Sequence, residues 1–258
     1  MSSPARQHRE RILAAQAANA ALPGVAAPPP TSGAAATAYE QMLMQLIEDR
    51  QRLKDIQSIE RKIELKRELL PNYAAWIEGV LTQAAETGQA VQDEIVVNIL
   101  PWLIDVGDYA QAITLAGHVL RFRLVLPERF KRTAACLVTE EIADAILTGL
   151  GANEVITPID TAHMLLQLEE TVAGHDMPDE VAAKLQKAIG LTLAAAADIA
   201  SPDDANVIAG FVPATRTEAL ARLRRAIALD PRAGVKKAIE TLERALKKDA
   251  IAAAGASG

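Results

Sequence analysis

Residue types that do chemistry are few in this chain and stand far apart. The four histidines, His8, His118, His163 and His175, are dispersed, and the one cysteine, Cys136, has no Cys/His grouping at zinc-ligand spacing around it. These groups read as surface or packing residues. No Walker A loop, G-x-G-x-x-G fingerprint, G-x-S-x-G elbow or H-E-x-x-H helix occurs, so ATP hydrolysis is not expected of this chain. The nearest approach to a two-metal nuclease set is Pro178-Asp179-Glu180 followed by Lys184. Helix first turns favour Asp and Glu for capping and dipole reasons, and the lysine spacing differs from common nuclease patterns. A helix start is the simpler reading, with no catalytic residue, metal or cofactor expected here.

Cations offer the more useful chemistry, because lysine and arginine can neutralise phosphates. The net charge of −6 hides a segregation along the chain. Arg6, Arg9 and Arg11 stand together near the N-terminus. A second cluster is Arg121, Arg123, Arg129, Lys131 and Arg132, and a third runs over residues 216–249, with ten Lys or Arg against five acidic residues. Between the last two, residues 133–205 carry 13 acidic side chains against Lys184 and Lys187, a surface that repels a phosphate backbone. Candidate DNA contacts are therefore Arg6, Arg9 and Arg11 at one end and Arg222, Arg225, Lys236 and Lys237 at the other, made to the backbone rather than to base edges. No room exists before residue 23 for a three-helix DNA-reading domain.

The elements that must carry these residues are helices. Half of the residues are hydrophobic but only 3% are aromatic, so the apolar share is largely Ala, Leu, Ile and Val, as in an all-α protein packed through small aliphatic contacts. The apolar runs are too short for a transmembrane helix, and Gln16 and Asn19 interrupt the N-terminal stretch that imitates a signal peptide. A lone cysteine suits a reducing cytoplasm. Residues 1–22 read as a basic helical arm and 23–37 as a flexible Pro/Ala/Gly linker, leaving the arm tethered and mobile. From Ala38 to Leu70 no Gly or Pro occurs, which predicts one long helix, and residues 38–90 as a whole read as an oligomerisation hairpin. Met42, Leu46, Leu53, Ile56 and Ile63 form a partial heptad stripe flanked by balanced charges, the candidate interface between copies.

After Leu70-Pro71-Asn72 a second helix places Tyr73 and Trp76 in the core. Residues 91–197 read as a central acidic helical segment. In it Trp102, Gly107, Asp108, Tyr109 and Ala112 resemble one copy of a tetratricopeptide hairpin, with Gly107 at a left-handed cap and Asp108 opening the next helix. A helix opening at Thr139, others over Ile159–Ala173 and Pro178–Ala197, a loop over 198–215, a basic hairpin over 216–249 and a disordered tail over 250–258 complete the expectation: an all-α fold, a long oligomerisation helix followed by an array of helical hairpins.

Taken in order, several segments resemble one family. Ser3-Pro4-Ala5-Arg6, Tyr39-Glu40-Gln41-Met42-Leu43, Lys66-Arg67-Glu68-Leu69-Leu70-Pro71, Trp102 to Asp108, Thr139-Glu140-Glu141, Met177 to Val181, Leu229-Asp230 and Ala233 to Lys237 are similar to the small terminase subunit of temperate, cos-packaging tailed phages, a family also called the terminase endonuclease subunit. The resemblance implies viral DNA packaging in the host cell cytoplasm. It implies partners too: double-stranded phage DNA read at its cohesive-end (cos) site, the large terminase ATPase subunit, and further copies of the chain in a homo-oligomeric ring. No membrane partner is implied. Two other readings stay open. One is a subunit that itself cleaves the cos site, needing magnesium; the other is a helical-repeat scaffold without DNA contact.

Overall fold

In the computed structural model, residues 4–17, 26–152, 154–155, 157–200 and 210–255 are described. The apolar run Ile95 to Ile104 forms α5 (Glu94–Asp105), and every residue from Ile95 to Ile104 except Pro101 is buried. A helix apolar all round must be covered on all sides. Its cover comes from α2 (Gly33–Asp55) and α3 (Ile59–Leu69) upstream and from α6 (Tyr109–Arg121) across a three-residue turn, while α1 (Pro4–Ala17) packs on α4 (Ala74–Thr87) and α2. These helices form a first unit, residues 1–138; a second unit covers 139–258, and the boundary falls inside α7 (Ala134–Gly151). The division cuts the stretch 91–197 that the sequence presents as one acidic segment. The cause is the burial of α5 against residues 39–76, which binds it to what precedes.

Two buried carboxylates hold the first unit's aromatic core. Asp93 caps α5 by accepting from the backbone N–H of Ile95 and Val96 (2.7 and 3.2 Å) and also accepts from the Trp76 indole N–H at 2.9 Å. Burial nevertheless pushes its carboxyl up to about 6, desolvation outweighing these donors. Asp49 accepts from the Tyr73 hydroxyl at 2.8 Å and from Arg52 at 3.0 Å. Tyr73 and Trp76 are both fully buried, as expected, with Tyr39 beside Trp76 and Tyr73 edge-on to Trp102.

In the second unit, α8 (Pro158–Thr171), α9 (Asp179–Ile199), α10 (Phe211–Leu229) and α11 (Lys236–Gly255) pack in sequence order. At the α9–α10 crossing Gly190 lets Leu223 come so near that a Cβ there would stand 2.6 Å from its Cδ2. The chain is all-α; among the described residues the one extended pairing is a parallel bridge between Ala27 and Val91.

Several local expectations change. The long helix from Ala38 to Leu70 is two helices, because Ile56 is extended and the Ser58 hydroxyl caps α3 by accepting from Arg61 N–H at 3.3 Å. Serine in that position is a start signal that outweighs the lack of Gly or Pro. The second half of the expected linker is pinned rather than free: Ala27 N–H donates to Ala90 O (3.0 Å) and Gln92 N–H to Ala27 O (2.7 Å), and α2 already begins at Gly33. Helix α7 starts at Ala134, with Thr133 accepting from Cys136 N–H; Thr139 is fully buried within it. The tail is helical as far as Gly255. Pro23-Gly24, residues 201–209 of the 198–215 loop and residues 256–258 lie outside the described residues.

Candidate nucleic-acid interface

The N-terminal arginines ride on a docked helix. Ala14 is fully buried and α1 lies so close to α4 that a Cβ on Gly79 would stand 2.5 Å from the Arg11 carbonyl oxygen. Arg11 pairs with Glu78 at 2.9 Å and Arg6 with Glu10 at 2.8 Å, whereas Arg9 is exposed beside a cleft of about 680 Å³ between α1 and α2. The arm is therefore packed where the sequence suggests a mobile tether. Glycine at 79 is the signal that reading missed: without a side chain, α4 admits another backbone.

The C-terminal candidates divide in the same way. Arg222 is clamped by Glu169 (2.7 Å) and Glu218 (2.7 Å), with Gln186 at 3.3 Å, and its side chain is only 22% exposed. Those bonds join α8, α9 and α10, so its charge is spent within the unit. Neighbouring cations are also engaged: Arg216 with Asp249 and Asp198, Arg224 with Glu243, Lys187 with the Ala233 carbonyl. Arg225, Lys236 and Lys237 are exposed and have no ion pair among the described residues. Lys237, Arg244 and Lys248 recur at the spacing of one helical stripe, all exposed on α11.

The interface proposed for copies also needs correction in detail. Met42, Leu46 and Leu53 are 5%, 1% and 7% exposed, buried against the chain's own first unit. A side chain already desolvated offers a neighbour nothing. Ile56 and Ile63 are half-buried, and the apolar side chains that α2 and α3 turn outward are Met44, Ile47 and Ile59. The stripe was legible; which side faced inward was not.

Asp179 and Glu180 occupy the first turn of α9, where Glu180 forms an ion pair with Arg232. Lys184 is held instead by Glu140 and Asp144 at 2.9 and 2.8 Å. Among the described residues no three His, Cys, Asp or Glu side chains converge in a way that could hold a metal ion, and no helix is long and apolar enough to cross a membrane.

The sequence matches the phage small terminase subunit family over residues 43–180. It is 41% identical over 247 residues to the terminase, endonuclease subunit of Escherichia phage P2, an alignment that covers 96% of this chain and 87% of that protein. No solved structure matches it. The matched region takes in α5, the Gly107 turn and the start of α9, segments whose residues carry the resemblance seen in the sequence. An all-α chain with basic clusters, aligned nearly end to end with a terminase subunit, belongs to the phage small terminase subunit family and has its role in phage DNA packaging.

Proposed function

We propose that this chain is the DNA-recognition subunit of the terminase, binding the cos site of concatemeric phage DNA and presenting it to the large ATPase subunit in the host cytoplasm. The observation that supports this reading is the group of exposed cations on α10 and α11, Arg225, Lys236 and Lys237, left without ion pairs among the described residues while their neighbours are neutralised. Unpaired exposed cations on a helical hairpin displace counterions from a duplex at little desolvation cost. Arg9 adds a further cation on α1, and Arg6, Arg11 and Arg222 act mainly as internal ties. Copies associate, in this reading, through the outward side chains Met44, Ile47 and Ile59.

Anisotropy of a labelled cos duplex across a salt series tests the reading. Changing Arg225, Lys236 and Lys237 together to Gln should reduce the slope of log affinity against log salt by about 2 to 3. An unchanged slope and affinity removes this hairpin from the interface. A second reading, that the chain itself cuts the cos site, has one observation in its favour: the phage P2 relative is named an endonuclease subunit. Nicking of a cos duplex by the purified chain with magnesium, co-eluting with the protein and lost on a carboxylate substitution, would establish it.

A further inference from the structure

A cleft of about 760 Å³ opens in the first unit between α2, the start of α5 and the loop after α6. Three guanidiniums from distant parts of the sequence line it: Arg50 on α2, Arg123 just after α6, and Arg129 in the loop before α7. Arg50 and Arg123 are exposed and make no ion pair or side-chain hydrogen bond among the described residues. Arg129 donates to a neutral partner, the Asn98 side-chain oxygen, at 2.5 Å. Glu94 and Glu128 also line the cleft, so the three cations face two carboxylates, with Arg121 and Lys131 flanking in sequence. Elsewhere in the chain arginines are commonly matched to a carboxylate, as Arg6, Arg11, Arg52, Arg222 and Arg224 are.

The backbone supplies an independent observation. Arg123 has φ +55°, the one positive φ outside glycine among the described residues. It sits where a helix ends in a left-handed cap: Arg123 N–H donates to Leu120 O and Leu124 N–H to Val119 O. The end of α5 uses the same pair of bonds, Gly107 N–H to Ile104 O and Asp108 N–H to Leu103 O, with glycine in the left-handed position. Glycine takes this conformation without the steric cost an L side chain carries. An arginine kept there bears a local cost that its backbone role does not explain. What it adds is a cation at the cleft.

The loop that carries Arg123 and Arg129 is held in place. The Gln92 side chain bonds both backbone groups of Val125, accepting from its N–H at 2.8 Å and donating to its carbonyl at 2.9 Å. Ala26 N–H donates to Phe122 O at 3.3 Å, tying the segment before α2 to the same loop. Burial, and next to it the charge of Arg50, lower the Arg129 pKa from its ordinary value. An anion between the two would relieve that repulsion.

We infer that the cleft lined by Arg50, Arg123 and Arg129 is a phosphodiester-binding site, a second point at which this subunit holds the DNA backbone. Guanidinium forks pair with phosphate oxygens through two N–H donors, and a pinned loop loses little entropy on binding. The inference rests on the DNA-binding reading above and adds a contact in a different unit from the α10–α11 cations.

The test uses the full chain and a labelled duplex of about 30 bp, roughly three B-form turns, measured across a salt series. Arg50→Gln combined with Arg123→Gly removes two cations; the second change places glycine in a left-handed cap, so the melting temperature should stay at or above that of the parent. The salt slope should fall by about 2, while Lys54→Gln with Arg61→Gln, an equal loss of charge on α2 and α3, should leave it unchanged. Equal slopes for parent and cleft variant overturn the proposal. So does a control pair that lowers the slope as much, because net charge then accounts for the effect. If inorganic phosphate raises the melting temperature of the parent but not of the cleft variant while the duplex slopes coincide, the site takes free phosphate and the DNA assignment falls. A parent chain that binds no duplex refutes the DNA-binding reading itself, whereas a slope lowered by the α10–α11 variant and not by the cleft variant refutes this inference alone.

Discussion

Replacing Gly79 tests how the N-terminal helix is held. A Cβ at this position would lie 2.5 Å from Arg11 O, 2.9 Å from Arg11 Cα and 2.9 Å from Ala14 Cβ, two backbone atoms and a Cβ that no rotamer change can move. Helix α1 must then retreat by about half an ångström or more for Gly79→Ala, and further for Gly79→Val. Alanine improves α4 itself by about 1 kcal/mol through helix propensity. Overpacking at the contact costs about 1–3 kcal/mol. The side that yields is α1, because Ala14 is its one fully buried described side chain and the exposed Arg11–Glu78 pair adds little. Amide exchange of residues 4–17 should therefore speed up by roughly 5- to 150-fold, the factor that about 1–3 kcal/mol implies. Global stability should hold, and α5 should exchange as before. Gly79→Val protein in which residues 4–17 keep their original protection would refute the reasoning that backbone contact at Gly79 docks the helix.

Three further outcomes are expected. Because burial raises Asp93 from 3.8 to about 6, the folded state binds its proton more tightly than the unfolded chain does; the stabilisation is present at low pH and is lost as pH rises through about 6. From this group the first unit should gain about 1 kcal/mol between pH 7 and pH 5, and urea midpoints of Asp93→Asn should lack that gain. Gly190→Ala should destabilise the second unit by about 1 kcal/mol, overpacking against fully buried Leu223 outweighing the helix gain, and a higher urea midpoint would contradict it. Ile47→Asp, on a side chain 57% exposed, should lower native particle mass with the fold intact, whereas Leu53→Asp, at 7% exposed, should unfold the first unit; unchanged mass for Ile47→Asp counts against that face as the contact between copies.

The sequence by itself determined what depends on near neighbours. Alanine and leucine content with few aromatics set the all-α class, Gly107-Asp108 set a left-handed cap followed by a helix start, and the structure has Gly107 at φ +83° with Asp108 accepting from Gln111 N–H. Tyr73 and Trp76 were legible as core because large aromatics in an Ala-rich chain must be covered. Even the overlooked break at Ser58 was locally encoded, by a hydroxyl three residues from the amide it caps. Only tertiary structure decided which of two apolar faces on α2 turned inward, which arginines were spent in ion pairs, and that Arg50 meets Arg123 and Arg129 in one cleft. Capping and periodicity act over three or four residues, within reach of a pattern read along the chain. Burial and charge pairing are set by groups tens of residues away, whose approach is fixed only when the helices pack.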